Sequence, residues 1–341
     1  MSSGARLATC MAATVALVLG AAGSAPAETN QVRIVSTPGL AQFPARYAFE
    51  RKLIAGQAKA QGLGDIKVTY QQVTSGNVVS DLILSANADV GVGGNVPLFT
   101  LWDKTRGAQK VRGIMPFSQG HMFLISSDPQ IKSLKDYTDK DRIAMTGVRS
   151  TTYSMLLQMG SAAAFGWEGR AKLDNITVGM GNDDAMIAML SGKHEVKSHM
   201  TILPHSTMEL ASGKAHVVMS SKDLLGGPYT FIVAFATEKF KTENPKTYAA
   251  IAAGLDEAIQ HFNAKPREVA ELFKSLEPVK NSVDEIAAMI AGKTPDELQF
   301  TSTPNSTQRF TEFMVKSGTM KTQPQSWKDL WFENVHAKSG N

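Results

Sequence analysis

Short apolar runs alternate with longer stretches of helical spacing along most of the chain. Val32 to Ser36 precedes "ARYAFERKLIAGQAKAQG", which reads as one helix; Ile66 to Tyr70 follows, and another helical stretch leads to Ala88 to Val92. The alternation resumes with Met122 to Ile125, Arg142 to Thr146, Ile176 to Val178, His194 to His199 and His216 to Ser220. Strands of this length spaced by helices predict βαβ units and parallel sheets covered on their faces. After "KDLLGGPYT" and Phe231 to Ala236 the pattern becomes almost wholly helical. Asn244-Pro245 is a helix start, and Tyr248, Ile251, Leu255, Ile259 and Phe262 then recur at the spacing of one buried helical face. Ser282 with Glu285 predicts a capping box, and Gly292 a helix stop.

Two sets of βα units and a helical return predict an α/β protein of two lobes, with the chain crossing near Met115 to Gln119 and near Leu225 to Tyr229. The expected division is 28–118 with 228–341 as lobe 1 and 119–227 as lobe 2. A length of 341 residues gives each lobe enough chain for its own core. A cleft between lobes is a common place for a small ligand.

The first 27 residues read differently. Arg6, an apolar stretch from Met11 to Ala22, and Ala25-Pro26-Ala27 form the three parts of a signal peptide, so the mature chain is expected to begin at Glu28, outside the cytoplasmic membrane. Cys10, the single cysteine, falls in this leader, which leaves no disulfide framework and no thiol nucleophile. Removing Arg6 lowers the net charge from +4 to +3, with no Lys/Arg run of the kind a nucleic-acid groove needs.

Three strand-to-helix junctions carry the candidate chemistry. They are Thr37-Pro38-Gly39, the Gly94-Asn95-Val96 part of "ADVGVGGNVPLF", and Arg149-Ser150-Thr151-Thr152 in "GVRSTTYSMLLQMG". The first turn of a helix has unpaired N–H groups and a partial positive charge, so such junctions attract anions and ligand oxygens. Arg149 can add a bidentate bond to a sulfonate, carboxylate or nitrate. The same residues also fit a plain N-cap beside a solvated arginine, and the pattern leaves both readings open. His199, in "KSHMT", ends a strand on the same side; Phe43, Phe117, His121 and Met180 are candidates for an apolar wall. Asp183-Asp184 reads as the start of a helix. The glycines make no full dinucleotide fingerprint, and the histidine spacing fits no zinc helix, so neither cofactor nor metal is expected.

The mature chain resembles, along nearly its whole length, substrate-binding proteins of the nitrate/sulfonate/taurine class of bacterial ABC importers, a group related in fold to thiamine-pyrimidine synthases. The matching stretches are "ADVGVGGNVP", "IKSLKDY" with "RIAMTGVRSTTYSMLL", "DDAMIAMLSGKHEV", "DLLGGPYTFIVAFATEKFKTENPKTY" and "FTSTPNSTQRFTEFMVKSGTMKTQPQSWKDLWF". The resemblance implies a type II periplasmic binding fold whose ligand loops fall on Gly94, Asn95 and Val96 and on Ser150, Thr151 and Thr152. It also implies a monomeric, non-enzymatic periplasmic receptor that passes a small solute to a permease and its ATPase. Lys197 and His199 stand where many relatives carry an Asp-Ala pair, a departure from the standard sulfonate pocket. The alternatives are a receptor for a pyrimidine or aromatic acid serving another transporter or a sensor, and a pyrimidine-synthase-like enzyme; the last lacks the cysteine-rich iron motif those enzymes share.

Overall fold

Two separate β-sheets organise the chain, and each is built mainly from strands the apolar runs predict. A computed structural model describes residues 28–149, 151–295 and 297–341. The predicted leader, Cys10 and Ser150 therefore lie outside the described residues.

In chain order the first part runs β1 (Gln31–Ser36), α1 (Phe43–Glu50), α2 (Leu53–Ala60), β2 (Lys67–Gln72), α3 (Gly76–Leu84), β3 (Val90–Gly94), α4 (Asn95–Thr105) and β4 (Val111–Gly120). The middle part runs β5 (Phe123–Ser126), β6 (Arg142–Met145), α5 (Thr152–Phe165), β7 (Thr177–Gly179), α6 (Asn182–Leu190), β8 (Val196–Thr201), α7 (His205–Ala211), β9 (His216–Ser220) and α8 (Ser221–Leu225). The return is β10 (Tyr229–Thr237), α9 (Glu238–Glu243), α10 (Pro245–Ala264), α11 (Pro266–Leu276), α12 (Val283–Ile290), β11 (Gln299–Phe300) and α13 (Thr307–Lys316).

The first sheet has the order β11-β4-β10-β3-β1-β2 and the second β7-β6-β8-β5-β9. Parallel pairing joins β1 to β2 and β3, and β6 to β7 and β8. Strand β10 runs antiparallel between β3 and β4, and β5 runs antiparallel between β8 and β9. Strands buried on both faces read as continuous apolar runs, and "YTFIVAFAT" of β10 is buried along all but its last residue.

Local physics decides where elements break. The stretch expected as one helix is two, because Lys52 turns into the left-handed region (φ 55°) after its N–H bonds the Phe49 carbonyl. The turn lets α2 bring Ile54 against α10 at Gly254, where a Cβ would lie 2.8 Å from the Ile54 backbone. The tail follows its pattern: the five apolar residues from Tyr248 to Phe262 are buried, Ser282 and Glu285 form the reciprocal cap of α12, and Gly292 follows the helix with φ 68°.

The crossing expected at Met115 to Gln119 lies within β4 instead. The strand continues to Gly120, and the passage to the second sheet is His121-Met122. Pro116 can sit inside this strand because the β10–β4 register shifts there, with Ile232 opposite Ser118 and Val233 opposite Pro116. Phe117 is the residue skipped by the shift; its ring is fully buried.

Candidate functional site

One large cleft separates the sheets, with a volume of about 630 Å³. All six strands in parallel pairs point their carboxyl ends at it. Thr37 to Ala41 follow β1, Thr74 to Asn77 follow β2, and Gly94 closes β3; across the cleft, Thr146 and Gly147 follow β6, Gly181 to Asp183 follow β7, and Ile202 to His205 follow β8. This is the carboxyl-edge placement that open α/β sheets use for ligands.

The same residues begin helices. Ser75 caps α3 through Val78 N–H, and Thr151 caps α5 in a reciprocal box with Ser154. Helices α4 and α6 start after Gly94 and Gly181, and their first N–H groups have no side-chain cap. With α7, which begins at His205, five helix starts therefore place partial positive charge around one volume. Among the described residues no arginine lines the cleft; its charged side chains are Asp183, Glu277 and Lys280, with His205 bonding Asp183 Oδ1 through Nε2 at 3.0 Å. Gln72 donates to Glu277 at 2.6 Å.

An apolar wall faces these groups. It includes Leu40, Met186, Ile187, Met208, Phe231 and Phe273. Tyr153 meets Phe231 edge to face, with ring centroids 6.2 Å apart. Burial pushes the Tyr153 phenol up to about 12, opposed by hydrogen bonding to Thr146 and Asn182.

The sequence-derived candidates separate into two groups. Thr37, Pro38, Gly39, Gly94, Thr151 and Thr152 line the cleft. Asn95 lies just behind it, buried, and accepts a hydrogen bond from Thr152 Oγ1 at 2.8 Å; its Nδ2 has no partner among the described residues. This bond joins a helix of the first sheet to a helix of the second. Val96 and Phe117 are core, and Arg149 is exposed outside the lining with φ 66°. His199 is buried one layer back, with Nε2 3.2 Å from the Oδ1 of the cleft residue Asn182. Of the wall candidates, Phe43 packs on Phe273 behind the lining, and Phe117, His121 and Met180 lie elsewhere.

Reading the sequence missed Thr74 to Asn77, Ile202 to His205 and the 277–281 segment. The first two carried a usable signal, since each follows a strand and starts a helix. The third comes from the distant helical tail, and no local pattern marks it.

No family model and no curated protein matches the chain. Solved structures do. The periplasmic aliphatic sulphonate binding protein SsuA from Escherichia coli superimposes with a TM-score of 0.65 at 14% identity, over 89% of this chain and 93% of that one. The periplasmic nitrate-binding protein NrtA from Synechocystis PCC 6803 gives 0.63 at 16%, over 91% and 86%. A conserved Candida albicans gene product with the generic periplasmic binding protein structural fold gives 0.59 at 12%, over 86% and 92%. The chain has the periplasmic binding protein fold. In that fold the cleft just described lies between two α/β lobes, and the Thr152–Asn95 bond joins a helix of one to a helix of the other.

Proposed function

We propose that the chain is a solute receptor that binds a small polar or anionic organic molecule between residues 28–118 with 228–341 and residues 119–227. The observation that carries this reading is the convergence of six strand ends and five helix starts on one cleft with an apolar wall. Oxygens of a sulfonate, nitrate or carboxylate suit the uncapped helix N–H groups, and an alkyl or aromatic body suits Met186, Met208 and Phe231. Contacts from both lobes favour the closed form, because a ligand shifts a hinge only through its differential affinity for the two states.

The names of the similar structures support the same class of role: one is a sulfonate receptor and one a nitrate receptor. On this reading the protein acts in the periplasm as a monomer without catalysis, and hands its solute to the permease and ATPase of an ABC importer. Tyr153 and Phe231 in the lining favour an aromatic acid as the second solute class.

The test is thermal unfolding of the chain from Glu28 with nitrate, methanesulfonate, longer alkylsulfonates, benzoate and pyrimidines. A ligand at a hundredfold excess over Kd adds about 2.7 kcal/mol of stability. At least one compound should raise Tm by several degrees, and Thr152→Ala should abolish that rise. A panel without any shift would remove the anion reading.

A further inference from the structure

Behind the cleft lies a buried polar chain that packing alone does not require. His199 on β8 and Glu209 on α7 are both fully buried, with Nδ1 2.6 Å from Oε1. The second Glu209 oxygen has no partner among the described residues. Buried pairs of this kind are often no more stabilising than apolar side chains of the same volume. What distinguishes this pair is its outward connection: His199 Nε2 meets Asn182 Oδ1 at 3.2 Å, and Asn182 lines the cleft beside Tyr153.

The hydrogen-bond polarity follows from counting protons. A carboxamide oxygen accepts only, so the Oδ1 contact needs a proton on His199 Nε2. A second proton lies between Nδ1 and Glu209 Oε1, whichever atom holds it. With Oδ1 occupied from behind, Asn182 turns its Nδ2 donors toward the cleft or toward the Tyr153 oxygen, which leaves the phenol O–H, or the hydroxyl of the cleft residue Thr146 that it bonds, for the cleft. Either way the wall presents donors. Removing one proton from the pair leaves Nε2 bare, turns the carboxamide round and presents acceptors instead.

We infer that Glu209 and His199 are positioning residues that fix the Asn182 carboxamide donor-outward and so select solutes with a hydrogen-bond acceptor at this wall. This inference rests on the receptor reading and names the polarity of its ligand. The ionisable groups on the elements around His199 are Lys197 on β8, Arg142 on β6, Asp183 and Asp184 on α6, and His205 and Glu209 on α7; β5 contributes none. Of these, Asp183 and His205 also line the cleft, so any test must separate His205 from His199.

Two measurements do so. In ligand-free protein, a long-range ¹H–¹⁵N spectrum with the His199 signals assigned by their loss in His199→Gln should show a protonated Nε2 at neutral pH; a bare Nε2 would overturn the inference. The Kd of nitrate, methanesulfonate and benzoate is then compared at neutral pH in the wild type and in two His199 variants, with His205 left in place. His199→Gln keeps an N–H toward Asn182 Oδ1 and should hold Kd within about twofold. His199→Leu removes that donor and frees the carboxamide, so Kd should rise about tenfold. An unchanged Kd in His199→Leu, or a loss in His199→Gln as large as in His199→Leu, would sink the inference while leaving the receptor standing. If none of the anions binds although Nε2 carries its proton, the receptor reading falls and the buried chain retains its assigned polarity.

Discussion

At the scale of single residues, the packing of α2 on α10 depends on a small side chain that allows close approach. Gly254 is the clearest case, because the atoms a Cβ would meet are the Ile54 Cα and N at 2.8 Å, and backbone cannot move aside as a flexible side chain does. Alanine gains about 1 kcal/mol of helix propensity, whereas overpacking a filled site costs about 1 to 3 kcal/mol. The steric term should win, so Gly254→Ala is expected to lower the urea midpoint by an amount equivalent to roughly 1 kcal/mol with an unchanged m-value. Residue identity also shows what could be read without coordinates. Thr37, Gly94, Thr151 and Thr152 reach the cleft because a strand end followed by a helix start is a local pattern. Arg149 and His199 carried suitable chemistry too, yet one turns outward in the left-handed region and the other lies behind Asn182, outcomes set by backbone geometry and packing.

Elements meet beside the cleft through the starts of α4 and α5. The Thr152–Asn95 bond joins them at 2.8 Å, and a Cβ on Gly94 would lie 2.7 Å from Thr152 Oγ1, so the glycine is what lets the helix ends come together. Thr152→Val keeps the shape and removes the donor. Asn95 is buried, its Nδ2 has no partner among the described residues, and it would then lose the one side-chain bond it makes to them. A buried polar group left unsatisfied costs about 1 to 3 kcal/mol, so the variant should melt several degrees lower and bind solute more weakly; an unchanged Tm would show that the bond contributes nothing. The existence of the elements was largely legible, since periodicity reports burial. The break at Lys52 was not, because it comes from the need of α2 to lie against α10, about 200 residues further along the chain.

On the scale of the whole molecule, the passage between sheets is guarded by a buried histidine. His121 has no exposed surface, and its Nε2 lies 3.3 Å from Glu297, which also pairs with Lys222 at 2.5 Å. Burial holds the His121 ring below its ordinary 6.5, opposed by the Glu297 charge. The folded state therefore favours the neutral ring. Above about pH 6.5 folded and unfolded chains are both neutral there and the full stability is present; as pH falls the unfolded chain takes the proton more readily and stability declines. Glu297, held below the usual carboxylate range chiefly by its hydrogen bond to Lys222, adds a loss in the same direction only nearer pH 4.5 and below. Between pH 7 and pH 5 the wild-type Tm should thus fall more steeply than that of His121→Gln, and equal slopes would remove His121 from the account.

Local pattern along the chain specified the α/β class, nearly all the strands, the helical tail with its buried face and caps, and three of the junctions that meet the ligand space. These features are local: hydrophobic period, capping chemistry and turn residues act within a few positions of each other. Packing in three dimensions set which strand ends face one another, that Phe117 is core at a register shift, that residues 277–281 line part of the cleft, and that Glu209 reaches Asn182 through His199. Those relations depend on how two sheets pack at long range, and a pairing between distant side chains leaves no periodic mark on the chain that carries them.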